Sequence, residues 1–308
     1  MVGISLAPSF SLITNGLNAA LPKKKLGNTQ MQVRHVLRLG LVQLLYSEVP
    51  AHAAVNTSII LLEKRVPKNL HYLKNTVNAV LRRVDREREE LEKKYSNTRL
   101  NFPPWLLKSW DEYYGSAVVK QILSTLLTEA PLDISLKPHC DQKEWAKRLG
   151  GKAVLGGSIR ISKAGKISEL DGYNDGVWWV QDVAARIPST LLGASGGSDV
   201  LDLCAAPGGK AAQSAAAGNK VTAVDFSERR LSRLKENMAR LDLSVDVVMS
   251  DVLLHKPKKR YDFILLDAPC SSTGTIRRHP EILHTRTKRD VDDLVVLQAK
   301  MLNHAASL

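Results

Sequence analysis

Cysteine is scarce in this sequence. Among 308 residues there are three cysteines, Cys140, Cys204 and Cys270. No two of them have the spacing of metal ligands, and an odd number does not suit a disulfide framework. We therefore expect no metal site, and a protein of the reducing cytoplasm. Membrane insertion is also excluded, because no apolar stretch reaches the roughly 20 residues needed to cross a bilayer. The N-terminal 25 residues lack the charged start of a secretory signal.

Negative charge is under-represented, most of all in the first third of the chain. The net charge is +13. Residues 1–110 hold 17 Lys and Arg against 7 Asp and Glu, a net +10. A basic excess concentrated in one region favours a polyanionic partner such as nucleic acid. A solvated helical surface is the alternative that charge alone leaves open.

Hydrophobic periodicity divides the chain into four parts. Residues 1–95 hold three amphipathic helices, separated by Pro50 and Pro67, and predict a small helical bundle. Residues 96–130 read as a helical linker, and residues 131–180 as a small α+β subdomain. From 181 to 308 strands alternate with helices, a pattern typical of a parallel, doubly wound sheet of the α/β class. The predicted strands are Val200–Cys204, Lys220–Asp225, a third ending at Asp251 and a fourth ending at Asp267.

A glycine-containing loop follows the first strand of that sheet. The segment Asp202–Lys210 reads DLCAAPGGK, and Gly208 and Gly209 permit a sharp turn and a close approach of ligand to backbone. Its spacing is neither GxGxxG nor GxxxxGK[ST], which disfavours a nicotinamide cofactor and a P-loop nucleotidase. An ordinary strand-to-helix turn is the alternative.

Acidic residues close the next three predicted strands, and this favours a ligand site over an ordinary turn. Asp225 lies 16 residues after Gly209, where a carboxylate can accept both hydroxyls of a ribose. Asp251 closes the third strand, where it can contact an adenine amino group. Asp267 closes the fourth. In open α/β sheets, ligands bind outside the carboxyl ends of the strands.

The fourth predicted strand leads into a cysteine. The segment 267–280 reads DAPCSSTGTIRRHP and places Cys270 just past the strand end. A lone cysteine is more often an inert small hydrophobe. Polar neighbours and the arginines Arg277 and Arg278 favour a chemical site here. Trp178 and Trp179, by contrast, are expected to pack in a core rather than to stack on bases.

Together, these two motifs resemble the Nol/Nop/Sun family of RNA 5-methylcytosine methyltransferases. The upstream segments VRHVLRLGLVQLLYSEVPAHAAVN and VNAVLRR resemble the NusB-like RNA-binding domain of the bacterial members that act on 16S ribosomal RNA. The segment GVWWVQDVA resembles the entry into their catalytic domain. The resemblance implies an N-terminal NusB-like bundle, a small α+β subdomain and a Rossmann-like methyltransferase domain. It also implies S-adenosylmethionine as cofactor, small-subunit ribosomal RNA as partner, and a monomer.

The resemblance also implies a role for each site residue. Asp225 would hold the ribose of the cofactor, Asp251 its adenine end, and Asp267 would lie near the sulfonium and the target cytosine. Cys270 would assist release of the methylated product. Arg277 and Arg278 would contact RNA phosphates. The methionine moiety would be wrapped by a run of seven residues, Cys204, Ala205, Ala206, Pro207, Gly208, Gly209 and Lys210.

The sequence departs from the family in one respect. Family members carry the attacking cysteine in a later Thr-Cys motif, and no cysteine follows Cys270 here. We therefore expect a methyltransferase domain that is incomplete at its C-terminal side, a NusB-like domain with a short front, and little or no activity. Two alternatives stay open: Cys270 attacks the base itself, as its counterpart does in DNA cytosine-5 methyltransferases, or the chain binds RNA without catalysis.

Overall fold

The structure is a computed structural model, and it describes residues 30–47, 49–95, 97–194 and 196–308. The expectations for the first 25 residues lie outside the described residues. The chain divides into two units: one comprises Met1–Glu129 and Ser272–Lys288, and the other comprises Ala130–Ser271 and Arg289–Leu308. In the described part of the chain, no helix combines the length and the hydropathy needed to cross a membrane.

The first unit begins with the predicted helical bundle. Its helices are α1 (Met31–Tyr46), α2 (Ala51–Arg65), α3 (Lys74–Arg86) and α4 (Arg88–Lys94), with a 3-10 helix at Lys68–Leu73. Apolar residues spaced three or four apart bury one face of each long helix. The core includes Leu37, Leu41, Leu62, Val77 and Leu81. The bundle predicted from periodicity is confirmed.

A second core of the first unit joins residues that are distant in sequence. It contains a 3-10 helix (Thr98–Asn101), α5 (Pro104–Tyr114) and α6 (Ser116–Leu126). Ile276 and Leu283, from the segment after the last strand, are buried in the same core as Leu106 and Leu123. Residues 96–130, predicted to be a helical linker, therefore pack into a hydrophobic core together with this later segment.

The second unit opens with an antiparallel sheet in the order β2-β3-β1-β4. Trp178 and Trp179 are both buried, Trp178 completely, which confirms that they pack in a core. Trp178 lies with Ile134 and Ile159 beneath the helix that follows β1. The elements are β1 (Leu132–Leu136), α7 (Gln142–Arg148), β2 (Lys152–Val154), β3 (Ser158–Ile161) and β4 (Trp178–Val180), with 3-10 helices at Leu155–Gly157 and Ile167–Glu169.

The predicted parallel sheet forms the rest of this unit, with strand order β7-β6-β5-β8 and every neighbouring pair parallel. Its strands are β5 (Asp199–Leu203), β6 (Lys220–Asp225), β7 (Asp246–Met249) and β8 (Phe263–Leu266). The helices are α8 (Val183–Leu191), α9 (Gly209–Ala216), α10 (Glu228–Arg240), α11 (Ile282–Thr285, in the first unit) and α12 (Lys288–Ala305), with 3-10 helices at Val252–Leu254 and Thr273–Thr275. The α/β expectation is confirmed.

Three of the four strands end earlier than predicted. β5 stops at Leu203 because Cys204 adopts a φ of 63°, outside the extended region. β7 stops at Met249, and Asp251 instead caps the short helix that follows by accepting from the amide of Leu253. β8 stops at Leu266. Asp251 and Asp267 therefore lie in the loops after β7 and β8, where their side chains are available for contacts.

Candidate cofactor and catalytic site

The loop from Cys204 to Gly208 connects β5 to α9 and is held by backbone hydrogen bonds. The amide of Ala205 donates to the carbonyl of Val224 at 3.0 Å, and the amide of Gly208 donates to the carbonyl of Ala205 at 2.8 Å. Cys204, with a φ of 63°, occupies a left-handed conformation that a non-glycine residue rarely adopts. Such strained positions are common at functional sites.

The two glycines of the loop serve different purposes. Gly208 has a φ of 103°, and a Cβ at this position would lie 2.9 Å from Cγ of Leu234 and 3.2 Å from Cε of Met238. Glycine is therefore required there for packing against α10. A Cβ at Gly209 would meet nothing closer than Cγ of Gln181, at 3.8 Å. Because Gly209 begins α9, its open side exposes the start of a helix, where backbone N–H groups attract polar ligands.

Asp225 joins this loop to the end of β6. Its side chain is buried, 1% exposed. One oxygen, Oδ2, accepts from the amide of Ala206 at 3.2 Å, and Oδ1 accepts from the amide of Ser227 at 3.0 Å. Arg230 adds an ion pair, with Nη1 3.3 Å from Oδ2, and donates a hydrogen bond to the carbonyl of Ala206. A carboxylate has about four acceptor positions, and the two amides and Arg230 occupy most of those of Asp225.

Asp251 lies on the adjacent strand end. The residue before it, Ser250, donates its amide to the carbonyl of Asp225 at 3.1 Å, which places the two loops side by side. The Asp251 side chain is exposed and accepts from the amide of Leu253 at 2.8 Å through Oδ1. The structure thus brings together the two acids that the sequence assigned to the nucleoside end of a ligand.

Lys210 and Asp267 form an ion pair across the neighbouring strand ends. The distance from Nζ of Lys210 to Oδ2 of Asp267 is 2.5 Å. The amide of Asp267 donates to the carbonyl of Leu203 at 3.1 Å, so the acid is tied to the end of β5. The sequence left Lys210 between a ligand contact and a helix start; the structure shows it in the first turn of α9 with a carboxylate as its partner.

Asp202 is an acid in this region that the sequence reasoning did not single out. It lies within β5 and is 1% exposed, and neither carboxylate oxygen has a hydrogen-bond partner among the described residues. Burial, reinforced by the charge of Asp267, raises the pKa of Asp202 to about 8. The signal available in sequence was an acid at an inward position of the apolar run VLDL. Burial therefore favours the protonated form of Asp202 far more than in an ordinary aspartate.

The two cysteines near the sheet edge differ in environment. Cys204 is partly buried, and burial, followed by the charge of Asp225, raises the pKa of its thiol to about 11. A thiolate is disfavoured there. Cys270 is exposed and lies four residues past β8. The carbonyl of the preceding Pro269 accepts from Nε2 of Gln298 at 2.7 Å, which anchors the loop to α12.

Cys140 belongs to the second unit, and the two predicted RNA-contacting arginines belong to the first. Burial raises the pKa of the Cys140 thiol, in line with an inert side chain. Arg277 belongs to the first unit and donates through Nη2 to Oγ1 of Thr128 at 2.8 Å and to the carbonyl of Glu129 at 2.5 Å. Arg278 is exposed. Within the described ranges, no three His, Cys, Asp or Glu side chains are grouped so as to hold a metal ion.

A glycine turn after one parallel strand, with carboxylates after the adjacent strands, is the arrangement of a Rossmann-like domain. Family models identify it more closely. Residues 189–308 match the model described as 16S rRNA methyltransferase RsmB/F, and residues 12–86 match the NusB family. The helical N-terminal part and the methyltransferase domain expected from the sequence resemblance are thereby confirmed.

Curated relatives place the chain in the same family. It is 35% identical over 297 residues to ribosomal RNA small subunit methyltransferase B of Serratia proteamaculans, covering 92% of this chain and 68% of the relative. It is 35% identical over 289 residues to the protein of that name in Escherichia coli O127:H6, covering 89% of this chain and 66% of the relative. The chain spans about two thirds of the length of these relatives. It belongs to the 16S rRNA methyltransferase RsmB/F family.

Solved structures share the fold. The crystal structure of PH0851 superposes with a TM-score of 0.74 at 23% identity, over 90% of this chain and 66% of that one. The structure of NSun6 from Pyrococcus horikoshii with SFG gives a TM-score of 0.59 at 17% identity, over 66% of this chain and 79% of that one. At these identities the similarity is one of fold.

Proposed function

We propose that this protein is an S-adenosylmethionine-dependent methyltransferase acting on C5 of a cytosine in 16S ribosomal RNA. One observation carries the proposal. The turn Cys204–Gly208 is hydrogen-bonded to Asp225 and continues into Lys210, which is paired with Asp267. A glycine turn and two carboxylates of adjacent strands therefore converge on one edge of the sheet. Family membership supports methyl transfer to small-subunit ribosomal RNA as the reaction.

The residues of this edge fit the cofactor. Asp225 would accept a ribose hydroxyl through the acceptor position that its contacts with Ala206, Ser227 and Arg230 leave, and Asp251 is exposed beside it for the adenine end. The turn Cys204–Lys210 would wrap the methionine part, since Gly209 leaves its outer side open. When bound, S-adenosylmethionine supplies a methyl group carried on a positively charged sulfur. Asp267, half exposed, lies at the adjacent strand end, where its carboxylate would face that charge.

The chemistry of cytosine explains the need for a cysteine. C5 of cytosine is a weak nucleophile, and addition of a thiolate to C6 makes C5 enamine-like. After methylation, a base removes the C5 proton and the thiolate is eliminated. The resemblance assigns the attack to a later Thr-Cys motif and product release to Cys270. Because no cysteine follows Cys270 in these 308 residues, we propose that this chain alone methylates RNA slowly or not at all.

RNA recognition is assigned to the basic part of the chain. We propose that residues 1–95 form the NusB-like RNA-binding domain, followed by the linker 96–130, the subdomain 131–180 and the methyltransferase domain 181–308. The net charge of +10 in residues 1–110 would attract phosphates. The target base must leave its stack to be reached from both faces. The proposal includes a monomer that works in the cytoplasm.

A methylation assay tests the reaction. The chain is incubated with 16S ribosomal RNA and S-adenosylmethionine labelled in the methyl group, and the RNA is digested to nucleosides. Label in 5-methylcytidine supports the proposal, and label in another nucleoside contradicts it. Label in 5-methylcytidine at a rate typical of an enzyme would instead contradict the proposal that this chain alone methylates RNA slowly or not at all.

A covalent trap tests the role of Cys270. With S-adenosylmethionine present, RNA containing 5-fluorocytidine stalls after thiolate addition to C6 and methyl transfer to C5, because C5 then carries fluorine in place of the proton that must be removed before the thiolate can leave. If Cys270 is the attacking thiolate, the chain forms a stable complex that Cys270→Ser abolishes and Cys140→Ser preserves. Our proposal, in which Cys270 assists release, predicts no such complex with the parent chain.

A further inference from the structure

Buried polar side chains of the second unit link the end of β4 to α9. Gln181 directly follows β4, and Gln213 lies on α9; both are buried. Nε2 of Gln181 donates to Oε1 of Gln213 at 2.9 Å. Oε1 of Gln181 accepts from Oγ of Ser135 at 2.8 Å and from Nε1 of Trp179 at 3.0 Å. Ser135 and Trp179 are buried as well, so these side chains form one polar network.

The direction of this network is fixed at both ends. The indole N–H of Trp179 can only donate, so the atom of Gln181 that faces it is the amide oxygen. Nε2 of Gln181 then faces Gln213, which accepts through Oε1. Nε2 of Gln213 in turn donates to the carbonyl of Arg186 at 3.1 Å and to Oγ1 of Thr190 at 3.0 Å. Neither amide can turn over without placing two donors or two acceptors face to face, so the network has a single arrangement.

Gln181 contacts two successive turns of α9. A Cβ at Gly209 would lie 3.8 Å from Cγ and 4.0 Å from Cδ of Gln181, so this side chain lies beside the first residue of the helix. Gln213 follows four residues later, on the same face. Lys210, in the turn between them, pairs with Asp267. The inner face of the helix that begins the cofactor turn is therefore held by one side chain, through packing at Gly209 and a hydrogen bond at Gln213.

The orientation of α9 depends on such contacts. The helix has eight residues, and a helix of this length is marginal unless tertiary packing supports it. Its N-cap residue is Gly208, which has no side chain to accept from the first amides. Ala211 and Ala212 are buried, but their methyl groups make no directional bonds. The hydrogen bond from Gln181 to Gln213 supplies the direction that they do not.

We propose that Gln181 is a positioning residue for the cofactor turn: through Gln213 it fixes the first turn of α9, and with it Gly209 and Lys210. The inference rests on the proposed function of that turn in binding S-adenosylmethionine. Gln181 acts on the cofactor through the helix, without touching the cofactor itself. Loss of either glutamine amide should therefore have the same consequence for binding.

A double-mutant cycle tests this route. Leucine has a similar volume and makes no hydrogen bond, so Gln181→Leu and Gln213→Leu should each weaken binding of S-adenosylmethionine roughly fivefold in a calorimetric titration, the scale of one hydrogen bond. Because both variants remove the same bond, the double variant should lose no more than about the same factor. Gln142→Leu is the matched control, since Gln142 donates through Nε2 to the carbonyls of Val154 and Ser158, both at 2.7 Å. It should lower the Tm and leave the affinity unchanged.

Hydrogen exchange in the cofactor-free chain tests the positioning of α9 without relying on cofactor binding. The amide of Ala212 donates to the carbonyl of Gly208 at 2.8 Å and reports on the first turn. It should exchange about tenfold faster in Gln181→Leu than in the parent, and at the parent rate in Gln142→Leu. Gln213→Leu gives the same comparison from the side of α9 and should also exchange faster.

The outcomes separate this proposal from the proposed function. Parent rates of exchange in both Gln181→Leu and Gln213→Leu would overturn the positioning role, as would affinity losses that multiply in the double variant. Faster exchange in a chain that does not bind S-adenosylmethionine would support the positioning of α9 and contradict the proposed cofactor instead.

Discussion

Lys210 and Asp267 are joined by a hydrogen-bonded ion pair, with 2.5 Å between Nζ and Oδ2. Lys210 is only 14% exposed, whereas Asp267 is 53% exposed. The pair links the first turn of α9 to the loop after β8. Its two charges have opposing effects on the buried Asp202: the charge of Asp267 raises the pKa of Asp202, and the charge of Lys210 lowers it. A ligand carboxylate that reached Lys210 would therefore compete with Asp267 and shift the charge felt by Asp202.

Replacing Lys210 should weaken cofactor binding more than it weakens the fold. We expect Lys210→Met to reduce the affinity for S-adenosylmethionine at least tenfold, equivalent to about 1.4 kcal/mol. Because the partner carboxylate is half exposed, the loss in stability should stay below about 1 kcal/mol. Calorimetric titration and urea unfolding measure the two effects. Lys235→Met, on an exposed face of α10, is the control and should change neither.

Substitution by alanine should lower the free energy of unfolding at Gly208 but not at Gly209. Gly208→Ala should destabilise the fold by roughly 1–3 kcal/mol, since its φ of 103° and the contact with Leu234 both exclude a Cβ. Gly209→Ala should leave the free energy of unfolding almost unchanged, because the space beside it is open. If the cofactor approaches this backbone, Gly209→Ala should still weaken its binding. Equal stability of the two variants would contradict the role given to Gly208.

Stability should depend on pH through Asp202. Its pKa in the folded state, about 8, lies above the ordinary value of 3.8. Between those values the unfolded chain loses a proton that the folded chain keeps, so Asp202 lowers the free energy of unfolding as pH rises. Asp202→Asn cannot ionise. The stability of this variant relative to the parent should therefore increase from pH 5 to pH 8, on the order of 1 kcal/mol or more.

The check for Asp202 is urea unfolding of both proteins at several pH values. A stability difference that is constant over this range would show that Asp202 ionises normally in the folded state.

Gly176 should be essential to the second unit. Its φ is 64°, and a Cβ there would lie 2.2 Å from the carbonyl oxygen of Arg240. Arg240 in turn donates to the carbonyls of Tyr173 at 2.8 Å and Trp178 at 3.1 Å. Gly176→Ala should cost several kcal/mol or prevent folding. Gly165→Ala, where no atom lies within 4 Å of the added Cβ, should leave the free energy of unfolding unchanged. A similar loss of stability in Gly176→Ala and Gly165→Ala would contradict this prediction.

Sequence reasoning succeeded where the pattern was local. The apolar run of β6 with a terminal acid predicted Lys220–Asp225, the bounds that the structure has. The same reasoning extended β7 to Asp251, because it could not foresee that this side chain caps the next helix. The motifs also identified Asp225 and Lys210 as site residues, and the structure brings their loops together.

The features that the sequence did not reveal depend on distant contacts. Arg277 donates to Thr128, 149 positions away, and no local pattern encodes such a contact. Asp202 was visible as an acid in an apolar strand, but its raised pKa follows from complete burial beside Asp267, which only the fold shows.

Titration of S-adenosylmethionine into the 308-residue chain by calorimetry tests the central claim most directly. The account predicts saturable binding at one site per chain, strongly weakened in Asp225→Asn and preserved in the control Arg233→Met, which replaces an exposed arginine of α10. Circular dichroism of Asp225→Asn confirms that it is folded, since Asp225 also accepts two backbone amides. No binding by the folded parent chain, with binding to 16S ribosomal RNA retained, would contradict the account and favour an RNA-binding protein without catalysis.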